Sequence, residues 1–306
     1  MGRFLIRRFI SMLITIILVI TFTFVLMHAI PGGPFTAEKK LPAAVEEALN
    51  ERYHLNDPLW KQYVDYVLDV ARFDLGPSFQ YEGQTVNRLI EDGFPTSAKL
   101  GILSVLLTLC IGIPFGIISA LKQNKWPDYT VMFLATLGVT IPNFVIATTL
   151  IYVFAVKLSV FPTFGIKNWQ SFILPVLALS GYSLSFISRL TRSSMLEVLG
   201  QDYIRTVRAK GIPEYKVIFK HALRNAILPV VTYVGPLIAA ILTGSFVVER
   251  IFALPGMGRH FVQSITNRDY TTIMGITIFY SAFLIIMILL VDLVYGIVDP
   301  RIKLDK

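Results

Sequence analysis

The chain alternates between long apolar runs and short charged connections. Six stretches contain no Lys, Arg, Asp or Glu, and each reaches the ~20 residues that a helix needs to cross a bilayer. They are Phe9–Ala37, Leu100–Leu121, Tyr129–Val156, Asn168–Ser188, Asn225–Val248 and Tyr270–Val291. Because a backbone in hydrocarbon must satisfy its own hydrogen bonds, each run is expected to be helical. The pattern predicts an all-α polytopic membrane protein with six transmembrane helices.

Composition and charge agree with this class and set an orientation. The chain is 54% hydrophobic with mean hydropathy +0.64 and is only 16% charged, whereas soluble domains average about a quarter charged residues. The pieces 1–8, 122–128, 189–224 and 298–306 carry 16 of the 28 Lys and Arg but six of the 20 acids. The positive-inside rule therefore predicts that both termini are cytoplasmic. The net charge of +8 then serves insertion and contact with membrane lipid, and no nucleic-acid partner is predicted.

Residues 31–98, between the first two predicted spans, are expected to form a small external α-helical cap. The Pro-Gly-Gly-Pro sequence at 31–34 ends the first helix, since Pro and Gly do not continue it. Helices are predicted to start near Pro42 and Pro58. A further short helix, Gln84–Asp92, is predicted to lie on the membrane surface before the second span begins. The cap is too small for an independent domain, so 1–306 is predicted to be a single transmembrane domain.

The chain offers little catalytic chemistry. It has no GxxxxGK[ST] phosphate-binding loop, and its four His residues (His28, His54, His221 and His260) are scattered with no partner at metal-ligand spacing. Hence no catalytic residue, no metal site and no cofactor bound by this chain is predicted. Asp292 is the one candidate for an ionisable group within a span. A self-sufficient secondary carrier would need more such groups and preferably an inverted repeat.

The loop 189–224 is the most unusual polar segment, with eight Lys and Arg and three acids. Asp202 is predicted to cap a helix that runs to about Lys210. Gly211 is then placed to end it in the left-handed conformation, and Pro213 to open a second helix. One interpretation is a protein-docking elbow, and the alternative is a basic anchor on anionic lipid. The Gly-Pro break favours the elbow because an anchor does not need it.

Small and polar residues within the spans suggest two further features. Gly112 and Gly116 form a GxxxG pair, which is typical of closely packed membrane helices. Polar and aromatic residues inside the spans are candidates for lining a translocation path, although helix–helix contact is an equal alternative for each. These candidates are Asn143, Tyr152, Tyr182, Ser183 and Tyr233.

The loop sequence resembles that of the permease subunits of ATP-binding-cassette (ABC) importers. The resemblance lies in Tyr203-Ile-Arg-Thr-Val-Arg-Ala-Lys-Gly211 and His221-Ala-Leu-Arg-Asn-Ala-Ile-Leu-Pro229, which look like the oligopeptide/dipeptide/nickel branch. In the strict family pattern Glu-Ala-Ala would stand at 205–207 and Ile at His221, so this chain departs from it there. Similar segments extend along essentially the whole chain, and together they look most like the B-type subunits of oligopeptide permeases. They include Ala29-Ile-Pro-Gly-Gly-Pro-Phe35, Asp74-Leu-Gly-Pro-Ser-Phe79, Ser188-Arg-Leu-Thr-Arg-Ser-Ser-Met195, Asn267-Arg-Asp-Tyr270 and Val291-Asp-Leu-Val-Tyr295.

The resemblance implies the type I importer permease fold and a multi-pass location in the cell membrane. It implies half of a translocation path for oligopeptides, completed by a second related permease subunit. Two ABC ATPase subunits would hold ATP and Mg, and an external peptide-binding lipoprotein would deliver substrate. Dipeptides, nickel chelates or another small solute are alternative cargoes, and a secondary carrier is the alternative mechanism.

The resemblance also makes 189–224 a cytoplasmic coupling loop, whose elbow at 203–221 would sit in a groove of an ATPase. The residues that match the core of the motif are Arg205, Thr206, Ala209, Lys210, Gly211, Pro213 and His221. Asp292 would then be a packing or capping residue rather than a proton carrier.

Overall fold

The computed structural model describes residues 2–30, 34 and 43–298. Throughout these ranges regular structure is helical, and the one β feature described is an isolated bridge between Pro77 and Thr85. The all-α prediction is therefore confirmed for the described part of the chain. The predictions for 31–33, 35–42 (including Pro42) and 299–306, and the side chain of Asp292, lie outside what is described.

The helices follow the apolar pattern closely. In chain order they are α1 (Gly2–Ala29), α2 (Ala43–Arg52), α3 (Leu59–Ala71), α4 (Val86–Leu121), α5 (Trp126–Thr140), α6 (Asn143–Leu150), α7 (Ile173–Leu199), α8 (Asp202–Ala209), α9 (Glu214–Lys216), α10 (Leu223–Ala226), α11 (Leu228–Ile251), α12 (Met257–Asn267) and α13 (Tyr270–Val298). A π-helical segment Ile151–Lys157 extends α6, a 3₁₀ turn Trp169–Phe172 precedes α7, and a second π-helical segment Val217–Ala222 joins α9 to α10.

Among the described residues, four helices are long and apolar enough to cross a membrane. They are Ile6–Ala29, Val86–Leu121, Trp169–Leu199 and Tyr270–Leu290, and a fifth span is counted if a bent pair of helices, Trp126–Thr140 with Asn143–Lys157, is taken as one. The remaining predicted stretch lies in α11, a 24-residue helix with Pro236 in its interior. Its apolar part, as far as it is described, is Leu228–Ile238.

The third predicted span is two helices rather than one. The axis bends by 104° between α5 and α6, where Ile141 is extended (φ −87°, ψ 122°) and Pro142 follows it (φ −59°, ψ 143°). Proline lacks an N–H and forces the residue before it out of the helical region, so α5 cannot continue. At 1.5 Å per residue the 15 residues of α5 reach only about 22 Å, less than the ~30 Å hydrocarbon core.

The prediction of a separate surface helix at Gln84–Asp92 is wrong. Val86–Leu121 is one continuous helix of 36 residues that passes through Pro95. It starts where the Val86 N–H donates to the Gly76 carbonyl oxygen at 2.9 Å. Gly93 and Pro95 lie between the amphipathic start and the apolar run but do not interrupt the helix, so the two predicted elements form a single helix.

Two compact units emerge from the internal contacts: 2–96 with 255–289, and 97–254 with 290–298. The first unit is tied together by the carboxylate of Asp269, which is 1% exposed. Asp269 caps α13 by accepting hydrogen bonds from the Thr272 backbone N–H (3.2 Å) and side-chain hydroxyl (2.8 Å). It also accepts from the Ser78 hydroxyl at 2.5 Å and the Phe79 backbone N–H at 3.1 Å. One buried carboxylate thus holds two segments 191 residues apart in sequence.

The second unit is organised around α7, which packs against α4 and α5 at glycines. A Cβ at Gly116 would lie 2.5 Å from Thr191 Cβ and 2.6 Å from the Ser188 carbonyl oxygen. A Cβ at Gly112 would lie 3.0 Å from Ile187 Cγ2. The separations at Gly116 are too short for a side chain, and the one at Gly112 leaves little space, so the backbone of α4 lies directly against α7 at Gly116. The close packing predicted from GxxxG is confirmed.

Replacing Gly116 with Ala should push α4 away from α7, because the added methyl group meets backbone and a β-branched side chain. Overpacking of this kind costs about 1–3 kcal/mol. Thermal unfolding of the purified chain in detergent is expected to show a clear fall in Tm for Gly116→Ala. The matched control is Gly181→Ala, whose Cβ would meet only the flexible tip of Ile146 at 3.1 Å. Equal Tm values for the two variants would contradict the packing described.

Candidate functional site

The first arm of the elbow is α8, and its start differs from the prediction. Gln201 is the N-cap residue, in the extended conformation (φ −73°, ψ 148°), and Asp202 is the first helical residue. The predicted capping role of Asp202 is therefore wrong, and its carboxylate instead accepts from Arg205 Nη1 at 3.3 Å. At the first position an acid still faces the positive end of the helix dipole, so the charge is favourable there.

The turn of the elbow is built on Gly211, as predicted. Its φ is +69°, in the left-handed region, and its N–H donates to the Arg208 carbonyl oxygen at 2.9 Å. A Cβ at Gly211 would have no atom within 4 Å, so the need for glycine comes from the backbone conformation alone. Pro213 (φ −56°, ψ 139°) is the N-cap of α9, one residue earlier than the first-turn position predicted for it.

An ion pair joins the two arms across this turn. Arg208 donates to Glu214 from Nη2 (2.7 Å) and Nε (3.2 Å), and about half of each side chain is exposed. These hydrogen bonds stabilise the ionised carboxylate and hold the pKa of Glu214 below its ordinary value. Because both groups are solvated, the pair contributes at most about 1 kcal/mol.

The apolar side of the elbow is buried on the ends of two long helices. Ile204, Val217 and Ala222 are 0% exposed and Ile218 is 9% exposed. They form one hydrophobic cluster with residues of α4 and α7: Ile117, Ala120 and Met195. Burying each large aliphatic side chain contributes about 1.5–3 kcal/mol. The elbow is therefore firmly attached to α4 and α7 through this cluster.

The opposite side of the elbow faces outward and is basic. Six of the seven predicted coupling residues are exposed, namely Arg205, Thr206, Ala209, Lys210, Gly211 and Pro213. The seventh, His221, is half-buried, and its carbonyl oxygen accepts from the Tyr203 hydroxyl at 3.4 Å. The structure thus gathers the six at the surface of one turn and leaves His221 on the inner arm.

Beside the cluster lies a buried ion pair that the sequence analysis missed. Asp128, 2% exposed, accepts from Arg192 Nε and Nη2 at 2.7 Å each. The same carboxylate accepts from the Ser119 hydroxyl and from the Asn124 N–H, the latter at 2.9 Å. It therefore joins the end of α4, the connection after it, the start of α5 and the C-terminal half of α7.

Two sequence signals were available for this ion pair. Asp128 is the one acid in the 122–128 connection, and it stands at the start of an apolar run. Arg192 lies within the Ser188–Met195 segment, which matched the family. Neither signal identified the partner, because the two residues are 64 positions apart and meet only through the packing of α5 on α7.

The candidate path residues lie mainly on α6, α7 and α11, which pack against one another. The ring centroids of Tyr233 and Phe186 lie 4.3 Å apart, and the two rings are tilted by 31°. Tyr152 is 54% exposed, with Lys157 Nζ 5.3 Å from its ring centroid. Ser183 is buried. Asn143 starts α6 after the bend and is half-buried.

Neither catalytic nor metal-binding geometry accompanies the elbow. Within the residues that the structure describes, no group of three or more His, Cys, Asp or Glu side chains could hold a metal ion. What the arrangement offers is a basic surface turn that is rigidly joined to two membrane-spanning helices. Such a surface suits docking rather than bond chemistry.

Comparison with known proteins identifies the chain as similar to membrane components of transport systems. Residues 112–304 match the family of binding-protein-dependent transport system inner membrane components, and residues 1–101 match the N-terminal family of the same membrane components. The dipeptide transport system permease protein of Bacillus subtilis is 52% identical over 100% of this chain and 99% of its own. The oligopeptide transport system permease protein of Salmonella typhimurium is 45% identical over 99% of this chain and 100% of its own.

The chain therefore belongs to the family of binding-protein-dependent transport system inner membrane components. Its predicted resemblance to the peptide branch of the ABC importer permeases and its multi-pass membrane location are confirmed. Among solved structures, a chain of the inward-facing MetNI methionine ABC transporter matches 69% of this chain and 94% of its own, with a TM-score of 0.55 at 19% identity. At that identity the match establishes the fold alone, which is that of an ABC importer permease.

Removing Arg192 should be strongly destabilising, because Asp128 would be left buried with an uncompensated charge. The expected loss for Arg192→Ala is about 3–5 kcal/mol, measured as a fall in Tm of the purified chain. The double variant Asp128→Ala/Arg192→Ala should be less destabilised than Arg192→Ala alone. The matched control Arg208→Ala breaks an exposed pair and should change stability by less than about 1 kcal/mol. An Arg192→Ala variant as stable as Arg208→Ala would contradict this account.

Proposed function

We propose that this chain is the transmembrane permease subunit of an ATP-driven importer of peptides, and that it forms half of the translocation path. The observation that carries the proposal is the elbow at 203–221, an exposed basic turn whose apolar side is fixed to α4 and α7. In a family of transport-system membrane components, such a surface is suited to receive force from a cytoplasmic partner.

The elbow would couple ATP binding on the partner to movement of the helices. The sequence has no phosphate-binding loop of its own, so the energy has to enter through another subunit. A displacement of the turn at Gly211 would reach α4 and α7 directly, since Ile204 and Val217 are packed against them. ATP can shift the equilibrium between inward- and outward-facing states only by its difference in affinity for the two.

The proposal includes the partners of such a system. A second related permease subunit would complete the path, and two ABC ATPase subunits would hold ATP and Mg and receive the two elbows. An external peptide-binding lipoprotein would deliver the substrate, and membrane lipid would surround the spans. The family description, which names binding-protein-dependent transport, supports the need for a separate binding protein.

The proposed topology has six membrane crossings with both termini in the cytoplasm. The bent pair α5 and α6 would make one crossing, and the 24 residues of α11 give about 36 Å of helix, enough for another. Residues 31–98 would form the external cap, and 189–224 the cytoplasmic coupling loop. The excess of Lys and Arg in the proposed internal pieces supports this orientation.

Peptides are the proposed substrate class. The two relatives described above are named for dipeptide and oligopeptide systems, with 52% and 45% identity, so the proposal covers both lengths. Asn143, Tyr152, Tyr182, Ser183 and Tyr233 remain the proposed lining of the path. The packing of α6, α7 and α11 against one another supports grouping these residues, although Ser183 is buried within this chain.

A graded series at Gly211 tests the coupling surface. Asn tolerates the left-handed conformation, whereas Asp adds a negative charge and Val, being β-branched, strongly disfavours that conformation. Capture of the candidate ATPase subunits by the detergent-purified chain should fall only slightly for Gly211→Asn and severely for Gly211→Asp and Gly211→Val.

The matched control is Gly200→Val, at a glycine with an ordinary φ of −79°. This variant and wild type should retain the ATPases equally. If Gly211→Val inserts normally and binds the ATPases as well as wild type does, the elbow is not the coupling surface. If the wild-type chain captures none of the ATPase subunits tested, the proposed function itself is rejected.

A further inference from the structure

Helix α3 carries an apolar strip on its exposed side. Trp60, Val64 and Leu68 follow one another at intervals of four residues, which places them on one face of the helix. Their exposed fractions lie between 44% and 69%. Three charged residues on or just after α3 are also exposed and occupy the adjoining face: Lys61, Asp65 and Arg72. An apolar face beside a charged face is typical of a helix that lies in the plane of a membrane interface.

The first half of α3 is fixed to α1 well below the end of that helix. The hydroxyls of Tyr63 and Thr21 are hydrogen-bonded at 2.7 Å, and the Tyr63 ring lies edge-on to Phe24 with centroids 5.4 Å apart. Thr21 precedes Ala29 by about 12 Å of helix. The apolar stretch Ile6–Ala29 has 24 residues, so at about 36 Å it exceeds a ~30 Å hydrocarbon core by only about 6 Å. Thr21 therefore lies at least about 6 Å inside the edge of the core nearest Ala29, which is the outer edge in the proposed topology.

The chain that leaves α3 is also held below the start of a long apolar helix. Leu75 packs against α13 at Gly275, where an added Cβ would lie 3.2 Å from Leu75 Cβ. Gly275 is about 7.5 Å along the apolar stretch that begins at Tyr270. The rings of His28 and Tyr270 are 6.4 Å apart, so the end of α1 and the start of α13 are level. Both ends of α3 are therefore held close to the outer edge of the hydrocarbon core.

An exposed aromatic ring stands at the same level. Phe73, just after α3, is 86% exposed and has a φ of +64°, which is unusual for a bulky residue. Asn87 holds this conformation, because its amide donates to the Phe73 carbonyl oxygen at 2.6 Å and its oxygen accepts from the Leu75 N–H at 2.9 Å. Water offers such a ring no favourable contact, whereas aromatic rings are favoured at the interface between a membrane and water.

We propose that α3 is an interfacial helix whose apolar strip, together with the Phe73 ring, inserts into the outer leaflet at the boundary between lipid headgroups and acyl chains. Lys61 and Arg72, next to the strip, then extend to the lipid phosphates while their stems follow the apolar surface. The external cap is thus held to the bilayer by its own helix as well as by the spans.

Lipid is the occupant that the depth selects. Near the level of Thr21, α1 itself exposes Phe22, Val25 and Leu26, which contact acyl chains where α1 crosses the bilayer. Because α3 is bonded to α1 at this level, lipid that covers α1 is also present beside the strip. The inference uses the proposed crossings of α1 and α13 and does not depend on the cargo.

Spin-label EPR of the full chain in lipid nanodiscs tests the proposal. In a Cys110→Ser background, labels are placed singly by Val64→Cys, Leu68→Cys and Phe73→Cys, with Asp65→Cys as the matched control. All four labelled positions are exposed, so the label disturbs no packing. Oxygen concentrates in hydrocarbon, whereas a polar nickel chelate stays in water. The ratio of oxygen to nickel collisions should be several-fold higher at the first three positions than at Asp65→Cys.

Equal ratios at Val64→Cys, Leu68→Cys and Asp65→Cys would overturn the inference, since the strip would then lie in water. A second arm repeats the measurement in the assembled transporter with its second permease subunit. Lipid contact predicts unchanged ratios there. A loss of collisions with both probes on assembly would mean that protein covers the strip, which would overturn the assignment to lipid.

Labelling in intact cells separates this inference from the proposed topology. Glu51→Cys, at an exposed position of α2, should react with a small membrane-impermeant thiol reagent added from outside. If it reacts and the strip proves to lie in water, only the interfacial inference fails. If it reacts only after lysis, the external placement of the cap fails, and the outer-leaflet assignment fails with it.

Discussion

Burial of the elbow's apolar side against α4 and α7 is the interaction on which the functional account depends. Ile204 and Val217, one on each arm of the turn, are both fully buried in the same cluster as Met195 of α7. The turn at Gly211 is therefore exposed to solvent, while the buried side chains on its two arms hold it in place. The Asp128–Arg192 ion pair reinforces this attachment by joining α5 to α7 next to the cluster. A surface that is accessible and rigidly connected to membrane helices can transmit a displacement, whereas a flexible basic tail cannot.

Close backbone contact extends the same connection into the membrane. Gly116 leaves no room for a side chain between α4 and α7, and Gly112 leaves little, so a displacement of one helix is passed to the other by direct contact. Packed interfaces of this kind have discrete arrangements rather than continuous ones. In the other unit, the buried carboxylate of Asp269 fixes the loop at 78–79 to the start of α13. Each unit thus has its own internal connection, one based on small residues and one on a capping carboxylate.

Much of this could be predicted from the sequence because the strongest signals are local. Charge-free runs located the helices, and Gly211 with Pro213 located the turn, since both depend on backbone preferences of single residues. The bend at Pro142 also has a local cause, but the length of a charge-free run does not show whether the helix changes direction within it. The Asp128–Arg192 pair and the Asp269 contacts could not be derived, because each joins segments far apart in sequence.

The most direct test of the central claim is site-specific crosslinking of the intact transporter. In a Cys110→Ser background, Lys210→Cys places a thiol at the tip of the elbow, and Lys125→Cys places one in the other exposed basic connection. With a short crosslinker, the account predicts that Lys210→Cys captures an ATPase subunit and that the yield changes when ATP is added. Lys125→Cys should give little product. Capture at Lys125 that equals or exceeds capture at Lys210 would contradict the claim that this turn is where the ATPase engages the chain.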